Sequence, residues 1–458
     1  MPPARLKRPR LTHWWRWVVG IAAAGLALRI TFVLGWHLHD GQRIGGDSYY
    51  YHYGANLLAD GKGFIQPYDY WLNHRIVPAA EHPPLYIIYL AITSLLGMTS
   101  YLTHQLWSCL LGASTVVIVG LTARRVIGPR AGLIAAAVVA VYPNFWLNDA
   151  SVMSETAAQA TSALVILLAY TFWQRPRMRS ALWLGVAIAL AAYSRAESVA
   201  LVGVMLMPLA LGLKRLPVKR RIGLLLASGA MTGLVLAPWV AYNMARFEYP
   251  VTISSGMDPT LLSANCDATW YGPGRGFWSM QNCMLPYAPM REEMLQHGVD
   301  LSAVGKAYRT RAIKYIEAHA SDLPQVIVAR EGRTWGFYRP WQTPTLDMIE
   351  DRPYWVSWVG LGTLWGIEVA AISGAVVLYR RRTTIIPLVA PLVVASIATA
   401  MAFGQTRYRA TAEPALVLLA VAGIDALLTR MKDRRPAIAT DLEPPPDPDT
   451  APKEMAGV

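Results

Sequence analysis

Charged residues that could do chemistry lie at the ends of apolar segments, where an unpaired charge is costly and by default suggests a function. The set consists of Asp47, Glu81, His82, Asp149, Glu155, Arg195, Glu197, Arg407, Tyr408 and Arg409. Carboxylates can act as a base or bind a metal ion, and guanidinium groups form forked hydrogen bonds with phosphate. These residue types therefore predict group transfer with a phosphate as the leaving group.

The chain that carries these residues is too apolar for an ordinary soluble enzyme. Of its 458 residues, 54% are hydrophobic and 16% are charged, whereas soluble domains carry about 25% charged residues. Such hydrophobicity also argues against overall disorder. The net charge of +13 would suggest nucleic acid in a soluble protein, but membrane proteins concentrate Lys and Arg in cytoplasmic loops. We therefore expect the lipid bilayer, and not nucleic acid, as a partner.

Ten apolar segments meet or approach the length of about 20 residues that a membrane-spanning helix needs. They are residues 14–36, 105–126, 131–147, 155–173, 181–193, 198–213, 222–242, 354–379, 385–403 and 410–428. The fifth and sixth are short. If the N-terminus is inside, every internal turn and tail is basic, whereas the outside turn 148–154 has no Lys or Arg. This pattern predicts an all-α, multi-pass protein of the cytoplasmic (inner) membrane, with both termini in the cytoplasm. The Ala- and Arg-rich composition is typical of a bacterium of high genomic GC content.

This topology predicts five parts of the chain. They are a basic cytoplasmic N-terminus (1–13), a transmembrane catalytic module (14–242) with a first outside loop (37–104), an extracytoplasmic segment (243–353), C-terminal transmembrane helices (354–428) and a disordered cytoplasmic tail (429–458). In the extracytoplasmic segment, Cys266 and Cys283 are expected to form a disulfide in an oxidising compartment. Arg333 and Arg339 lie there among aromatic residues, which suits sugars and phosphates but also suits a small core.

In the ten-span topology, the charged set reaches one outer face of the membrane. A cleft there would let an apolar tail stay in lipid while a phosphate meets the arginines. The substrate that this geometry implies is a lipid-linked phosphate compound.

Four motifs, in order along the chain, resemble those of the GT-C superfamily of polytopic glycosyltransferases. They are Asp47 with Tyr50 and Ala55, the acid-X-Pro-Pro-Leu-Tyr element 81–86 that leads into a juxtamembrane stretch, Glu155 after Tyr142-Pro143, and Arg407-Tyr408-Arg409 before Glu413-Pro414. Arg195-Ala196-Glu197 is similar to an Arg-Pro-Glu turn of many members. The match is to the branch that includes protein O-mannosyltransferases and lipid A aminoarabinose transferases.

The resemblance implies a GT-C-like fold and a sugar transfer in which Asp47 is the base. A polyprenyl-phosphate-linked sugar would be the donor, and a cell-envelope glycan, a glycolipid or a protein would be the acceptor. Glu155 would bind the acceptor, or a divalent metal ion with Asp149 or Asp47, and no cofactor is otherwise expected. The remaining residues are expected to contact the phosphate or a metal ion: Glu81, His82, Arg195, Glu197, Arg407 and Arg409.

Each of these residues also has a structural interpretation. Asp47 could be a turn residue, Glu155 could stabilise the start of a helix, and the arginines could reach lipid head groups. Tyr408 could orient a substrate or belong to the aromatic belt at the interface.

Two other functions fit the same composition. One is a transporter or flippase of a lipid-linked sugar, which predicts charges in the middle of the membrane and broken helices in matching halves. The other is an O-antigen-ligase-like transferase with a lipid pyrophosphate donor. The clustering of charges at one face favours the enzyme over the transporter.

Overall fold

The computed structural model describes residues 11–37 and 44–433, and α-helices dominate these two ranges. The helices are α1 (Leu11–Phe32), α2 (Gly46–Ala59), α3 (Pro67–Asn73), α4 (Pro84–Leu95), α5 (Tyr101–Val126), α6 (Pro129–Val141), α7 (Pro143–Ala150), α8 (Glu155–Gln174), α9 (Met178–Ser194), α10 (Met207–Leu211), α11 (Val218–Arg246), α12 (Met257–Ser263), α13 (Asp267–Trp270), α14 (Ala288–Gln296), α15 (Leu301–Ala318), α16 (Leu323–Thr334), α17 (Thr343–Asp347), α18 (Tyr354–Arg380), α19 (Ile386–Met401) and α20 (Glu413–Asp433). Short 3-10 and π turns connect several of them.

No β-strand forms within the described ranges, where the one β contact is an isolated bridge between Ile65 and Pro78. The predicted all-α fold class is therefore confirmed. Most of the predicted disordered tail, from residue 434 onwards, lies outside the described residues.

Six helices of the described chain are long and apolar enough to cross a membrane. They are His13–Gly35, α5, α8, α11, α18 and Glu413–Met431. A seventh span is formed if α6 and α7, which are bent by 45° at Tyr142, cross the membrane together. Pro143 explains the bend, because the residue before a proline is pushed out of the helical region, and Tyr142 is extended. The protein is thus a multi-pass membrane protein.

Three shorter apolar helices occupy the other predicted spans: Met178–Ser194, Ala196–Leu211 and Ile386–Met401. Their lengths of 10–17 residues are below the usual length of a span. The count of ten therefore stays a prediction.

Close helix packing fixes the elements that carry the charged residues. Where α18 crosses α20, a β-carbon on Gly374 would overlap the carbonyl oxygen of Leu419, and one on Gly423 would overlap the hydroxyl of Ser373. Small residues allow such close approach of helix backbones inside membranes. The turns just before α18 and α20 are held in relation to each other by this crossing.

Replacing Gly374 with Ala should destabilise the protein by about 1–3 kcal/mol, because the added methyl group overpacks the α18–α20 crossing. Gly366 on the same helix has open space around it, so Gly366→Ala is the matched control, and alanine favours a helix over glycine by about 1 kcal/mol. Thermal unfolding in detergent should separate the two variants. Equal unfolding midpoints would show that the crossing tolerates a side chain.

Candidate active site

One guanidinium group, that of Arg407, joins three carboxylates from distant parts of the chain. Its Nη2 lies 2.6 Å from Asp47 Oδ2, its Nε lies 2.7 Å from Glu155 Oε1, and its Nη1 lies 2.9 Å from Glu350 Oε1. The side chain of Glu155 is fully buried, whereas that of Asp47 is 29% exposed. Asp47 is therefore the carboxylate of this group that remains most accessible to a substrate.

The ends of four elements deliver these side chains to one point. Asp47 is the second residue of α2, and Glu155 is the first residue of α8. Glu350 ends the 3-10 turn Met348–Glu350 shortly before α18, and Arg407 lies in the 3-10 turn Thr406–Thr411 between α19 and α20. Helix ends leave backbone groups unpaired and suit charged side chains better than helix middles do.

A second arginine extends the cluster. Arg195 donates hydrogen bonds from Nη1 to Glu155 Oε1 at 3.2 Å and from Nε to Glu197 Oε1 at 2.9 Å. Its guanidinium also lies 5.1 Å from the centre of the Tyr408 ring, which is within the range of a cation–π interaction. Two guanidinium groups thus meet at the Glu155 carboxylate.

His82 adds an imidazole on the other side of Asp47. Its Nε2 lies 3.5 Å from Asp47 Oδ1, and its Nδ1 lies 3.0 Å from the hydroxyl of Tyr51. The ring packs edge-on against Tyr50. Contacts at both ring nitrogens fix the orientation of the imidazole toward Asp47.

The surrounding charges set the protonation of the cluster. Burial would raise the pKa of Asp47, but Arg407 and His82 outweigh it and hold that pKa well below its usual range. Burial dominates at Glu350 and raises its pKa, although Arg407 and Arg352 oppose the rise. Burial disfavours the charged form of Arg407, yet the neighbouring carboxylates raise its pKa well above the usual value. Asp47 is consequently ionised as long as Arg407 stays beside it.

Glu350 and its neighbour Arg352 are functional candidates that the sequence interpretation missed. Arg352 Nη2 lies 3.8 Å from Glu350 Oε2 and 2.9 Å from Asn148 Oδ1. Both residues stand just before the outer end of the predicted span 354–379. The rule that selected the other charged residues, a charge at the outer end of a span, would have selected these two as well.

Four of the predicted site residues are bonded elsewhere. Asp149 accepts hydrogen bonds from Arg29 Nε and from the Thr156 hydroxyl, both at 2.7 Å, inside the helical bundle. Arg409 pairs with Glu413 at 2.7 Å and is 1% exposed. These two residues lie in buried ion pairs, and neither has a hydrogen bond or ion pair to Arg407, Asp47 or Glu155.

The other two are the arginines of the extracytoplasmic segment. Arg333 donates to the backbone oxygens of Pro273 and Arg275, and Arg339 donates to that of Gly272. They hold the 272–275 loop in place. No carboxylate forms a salt bridge with either of them in the described part of the chain.

Glu81 lies beside the cluster without an ion pair to it. Its Oε2 accepts a hydrogen bond from Gln66 Nε2 at 2.9 Å, and burial raises its pKa. The neighbouring His82 contacts Asp47 directly, so the acid-His-Pro-Pro element contributes its histidine to the site. Pro84 starts α4 immediately afterwards.

Cys266 and Cys283 are joined as a disulfide, with their Cα atoms 5.6 Å apart. The bridge ties α13 to the π turn Met280–Met284. Cys109 is buried within α5.

A divalent metal ion stays a prediction. The described residues contain no group of three or more His, Cys, Asp or Glu arranged to hold a metal ion. Asp47 and Glu155 both bond the same guanidinium, so an ion between them would have to replace Arg407 there. As arranged, the donor set does not fit a metal ion.

Comparisons with known proteins agree with this architecture. The profile of the family described as Dolichyl-phosphate-mannose-protein mannosyltransferase matches residues 81–242. The archaeal oligosaccharyltransferase AglB from Archaeoglobus fulgidus, solved with an inhibitory peptide and a dolichol-phosphate, superimposes with a TM-score of 0.54 at 16% identity, over 93% of this chain and 52% of that chain. The chain has the GT-C fold. The resemblance that its sequence motifs indicate is therefore confirmed.

Two further structures are similar to this chain. The apo form of the Archaeoglobus fulgidus oligosaccharyltransferase gives a TM-score of 0.53 at 15% identity, over 92% of this chain and 51% of that chain. ArnT from Cupriavidus metallidurans bound to undecaprenyl phosphate gives a TM-score of 0.44 at 13% identity, over 92% of this chain and 80% of that chain. This chain spans about half the length of the oligosaccharyltransferase chains. No curated protein sequence matches it.

Replacing Asp149 with Ala should destabilise the protein by about 3–5 kcal/mol, because the buried Arg29 loses its counter-charge. Glu248 is exposed, so Glu248→Ala is the control that removes an acid without leaving a buried charge unpaired. Thermal unfolding in detergent measures both. An unchanged stability in the Asp149 variant would contradict a structural role for this acid.

Proposed function

We propose that this GT-C protein is a membrane glycosyltransferase that moves a sugar from a polyprenyl-phosphate donor to an acceptor outside the cytoplasm. The observation that carries the proposal is the contact between Asp47 and Arg407, a partly exposed carboxylate and an arginine 2.6 Å apart. Sugar transfer from a lipid phosphate needs a base for the acceptor and a cation for the phosphate, and this contact offers both. The acceptor is a cell-envelope glycan, a glycolipid or a protein.

The comparisons support the class of donor. The description of the matching family names a dolichyl-phosphate sugar, and the AglB structure was solved with a dolichol-phosphate. Multiple apolar helices around the site would keep a prenyl chain in lipid. In the proposed orientation, the cluster faces away from the cytoplasm, and both termini face the cytoplasm of a bacterial inner membrane.

The proposed reaction is a single displacement. An oxygen of the acceptor attacks the anomeric carbon of the sugar as its proton passes to Asp47. The bond between that carbon and the phosphate oxygen breaks, and the electron pair leaves with the polyprenyl phosphate. Attack opposite the leaving group inverts the anomeric configuration. Arg407, with Arg195 as its neighbour, would stabilise the charge that develops on the phosphate.

The low pKa of Asp47 imposes a condition on this mechanism, because a strongly acidic carboxyl group is a weak base. Arg407 is the strongest attraction that keeps the pKa low. Suppose that the phosphate of the sugar donor accepts a hydrogen bond from the N–H group of Arg407 that otherwise bonds Asp47. Asp47 then loses part of the attraction of Arg407, and the pKa of Asp47 rises. Donor binding would therefore increase the basicity of Asp47, with His82 and Tyr51 holding its orientation.

Replacing Asp47 with Asn should reduce transfer from a radiolabelled polyprenyl-phosphate sugar by about 10²–10⁴-fold, which is the usual contribution of a general base. Asp60, an exposed acid at the end of α2, provides the control variant Asp60→Asn. The radiolabel recovered in envelope acceptors measures transfer. Full activity of the Asp47 variant, with the control also active, would remove the base assignment.

If Arg407 changes its partner from Asp47 to the phosphate of the sugar donor, the pH profiles of kcat/KM and kcat should have different acidic limbs. Activity requires ionised Asp47 and is lost as the pH falls through its pKa. The limb of kcat/KM reports the free enzyme, and the limb of kcat reports the donor complex. We expect kcat/KM to keep its plateau to lower pH than kcat. In Arg407→Gln, both limbs should move to higher pH and approach each other, and coincident limbs in the unaltered protein would contradict the exchange.

A further inference from the structure

A second polar region lies at the end of the bundle opposite to the candidate active site. An open cleft of about 570 Å³ separates the end of α8 from the connection between α18 and α19. Its lining includes Trp173, Tyr379, Arg380, Arg382, Thr384 and Ile386. Since α18 has 27 residues, the cleft lies about 40 Å along this helix from the turn that carries Glu350.

Two arginines in this cleft have no counter-charge among the residues that the structure describes. Arg380 and Arg382 are exposed, and neither side chain has a hydrogen bond or an ion pair within the described chain. Their positions are fixed by the backbone, because Arg382 adopts the left-handed conformation with φ of 54°. The amide of Thr383 donates to the Leu378 oxygen at 3.0 Å, which closes the turn. The result is a structured turn that carries two guanidinium groups without a partner in residues 11–37 and 44–433.

The rest of the lining is suited to the membrane interface. Tyr379 is 76% exposed, and Trp173 is half-buried with its backbone oxygen bound by Arg215. Tyrosine and tryptophan are enriched where head groups meet the hydrocarbon core. Ile386 begins the apolar helix α19 next to them. The Tyr170 hydroxyl donates to the Thr384 oxygen at 2.9 Å and attaches the turn to α8.

We propose that this cleft binds the phosphate group of an anionic phospholipid. The two arginines would contact the phosphate, and Trp173 with Ile386 would contact the glycerol and the first methylene groups. Basic clefts between membrane helices bind anionic head groups in this way, and guanidinium groups form forked hydrogen bonds with phosphate. A free phosphate ion would satisfy the arginines alone, whereas the aromatic and apolar lining favours a lipid. The proposal is independent of the catalytic assignment.

Native mass spectrometry of the purified full chain in detergent tests this site. Phosphatidylglycerol is titrated against phosphatidylcholine, and inorganic phosphate is added in a separate arm. We expect phosphatidylglycerol to bind preferentially, and the double variant Arg380→Ala/Arg382→Ala to weaken its binding by about 30-fold, as the loss of two basic contacts implies. Inorganic phosphate should not displace the lipid.

The matched control is Lys219→Ala/Arg220→Ala, which removes the same charge from exposed residues at the start of α11. It should leave the binding of phosphatidylglycerol within about twofold of the unaltered protein, because neither residue lines the cleft and salt screens exposed charges. Equal weakening in both double variants would overturn the proposal in favour of a general surface charge. Displacement by inorganic phosphate would overturn the lipid assignment. Arg380→Lys/Arg382→Lys, which keeps the charge, should bind more tightly than the alanine variant.

Discussion

The compensation of buried carboxylates by one guanidinium holds the candidate active site together. Carboxylates buried close to each other repel and are costly to desolvate. Arg407 reduces this cost for Asp47, Glu155 and Glu350 at the same time, because its planar fork donates in three directions. A lysine, with a single charged nitrogen, could not reach all three carboxylates in this geometry. The first outside loop, α8 and the turn before α18 therefore converge on the turn that carries Arg407.

Much of this arrangement could be predicted from the sequence, because charges in apolar surroundings are rare and have to be paired. That rule selected Asp47, His82, Glu155, Arg195 and Arg407 from segments up to 360 residues apart, and the structure brings these residues together. The rule covers Glu350 as well, but treating residues 243–353 as one separate segment leaves Glu350 out of the set. The last residues of this segment, from Glu350 onwards, lie directly before the outer end of α18.

Residues of the same chemical type could not be sorted into their separate groups from the sequence. Asp149 looked equivalent to Glu155, but its partner is Arg29, a charge inside the first apolar run. Gly112 makes room for this pair, since a β-carbon there would overlap the Asp149 carboxylate. Which acid pairs with which base depends on how the helices pack, and loop charges and apolar lengths do not determine it.

The cluster also contains buried carboxylate oxygens with spare acceptor capacity. Among the described residues, Glu155 Oε2 and Glu350 Oε2 are buried without a hydrogen-bond partner. Buried polar atoms are nearly always hydrogen-bonded, and exceptions concentrate where function requires them. These oxygens lie on the two carboxylates that Arg407 holds most deeply, while Asp47 faces the accessible side. The site therefore has an excess of acceptors around one guanidinium, so that a phosphate approaching Arg407 competes with carboxylates that already repel each other. Relief of that repulsion favours the exchange of partners. The α18–α20 crossing preserves the geometry on which the exchange depends, because Glu350 and Arg407 lie in the turns that precede these two helices.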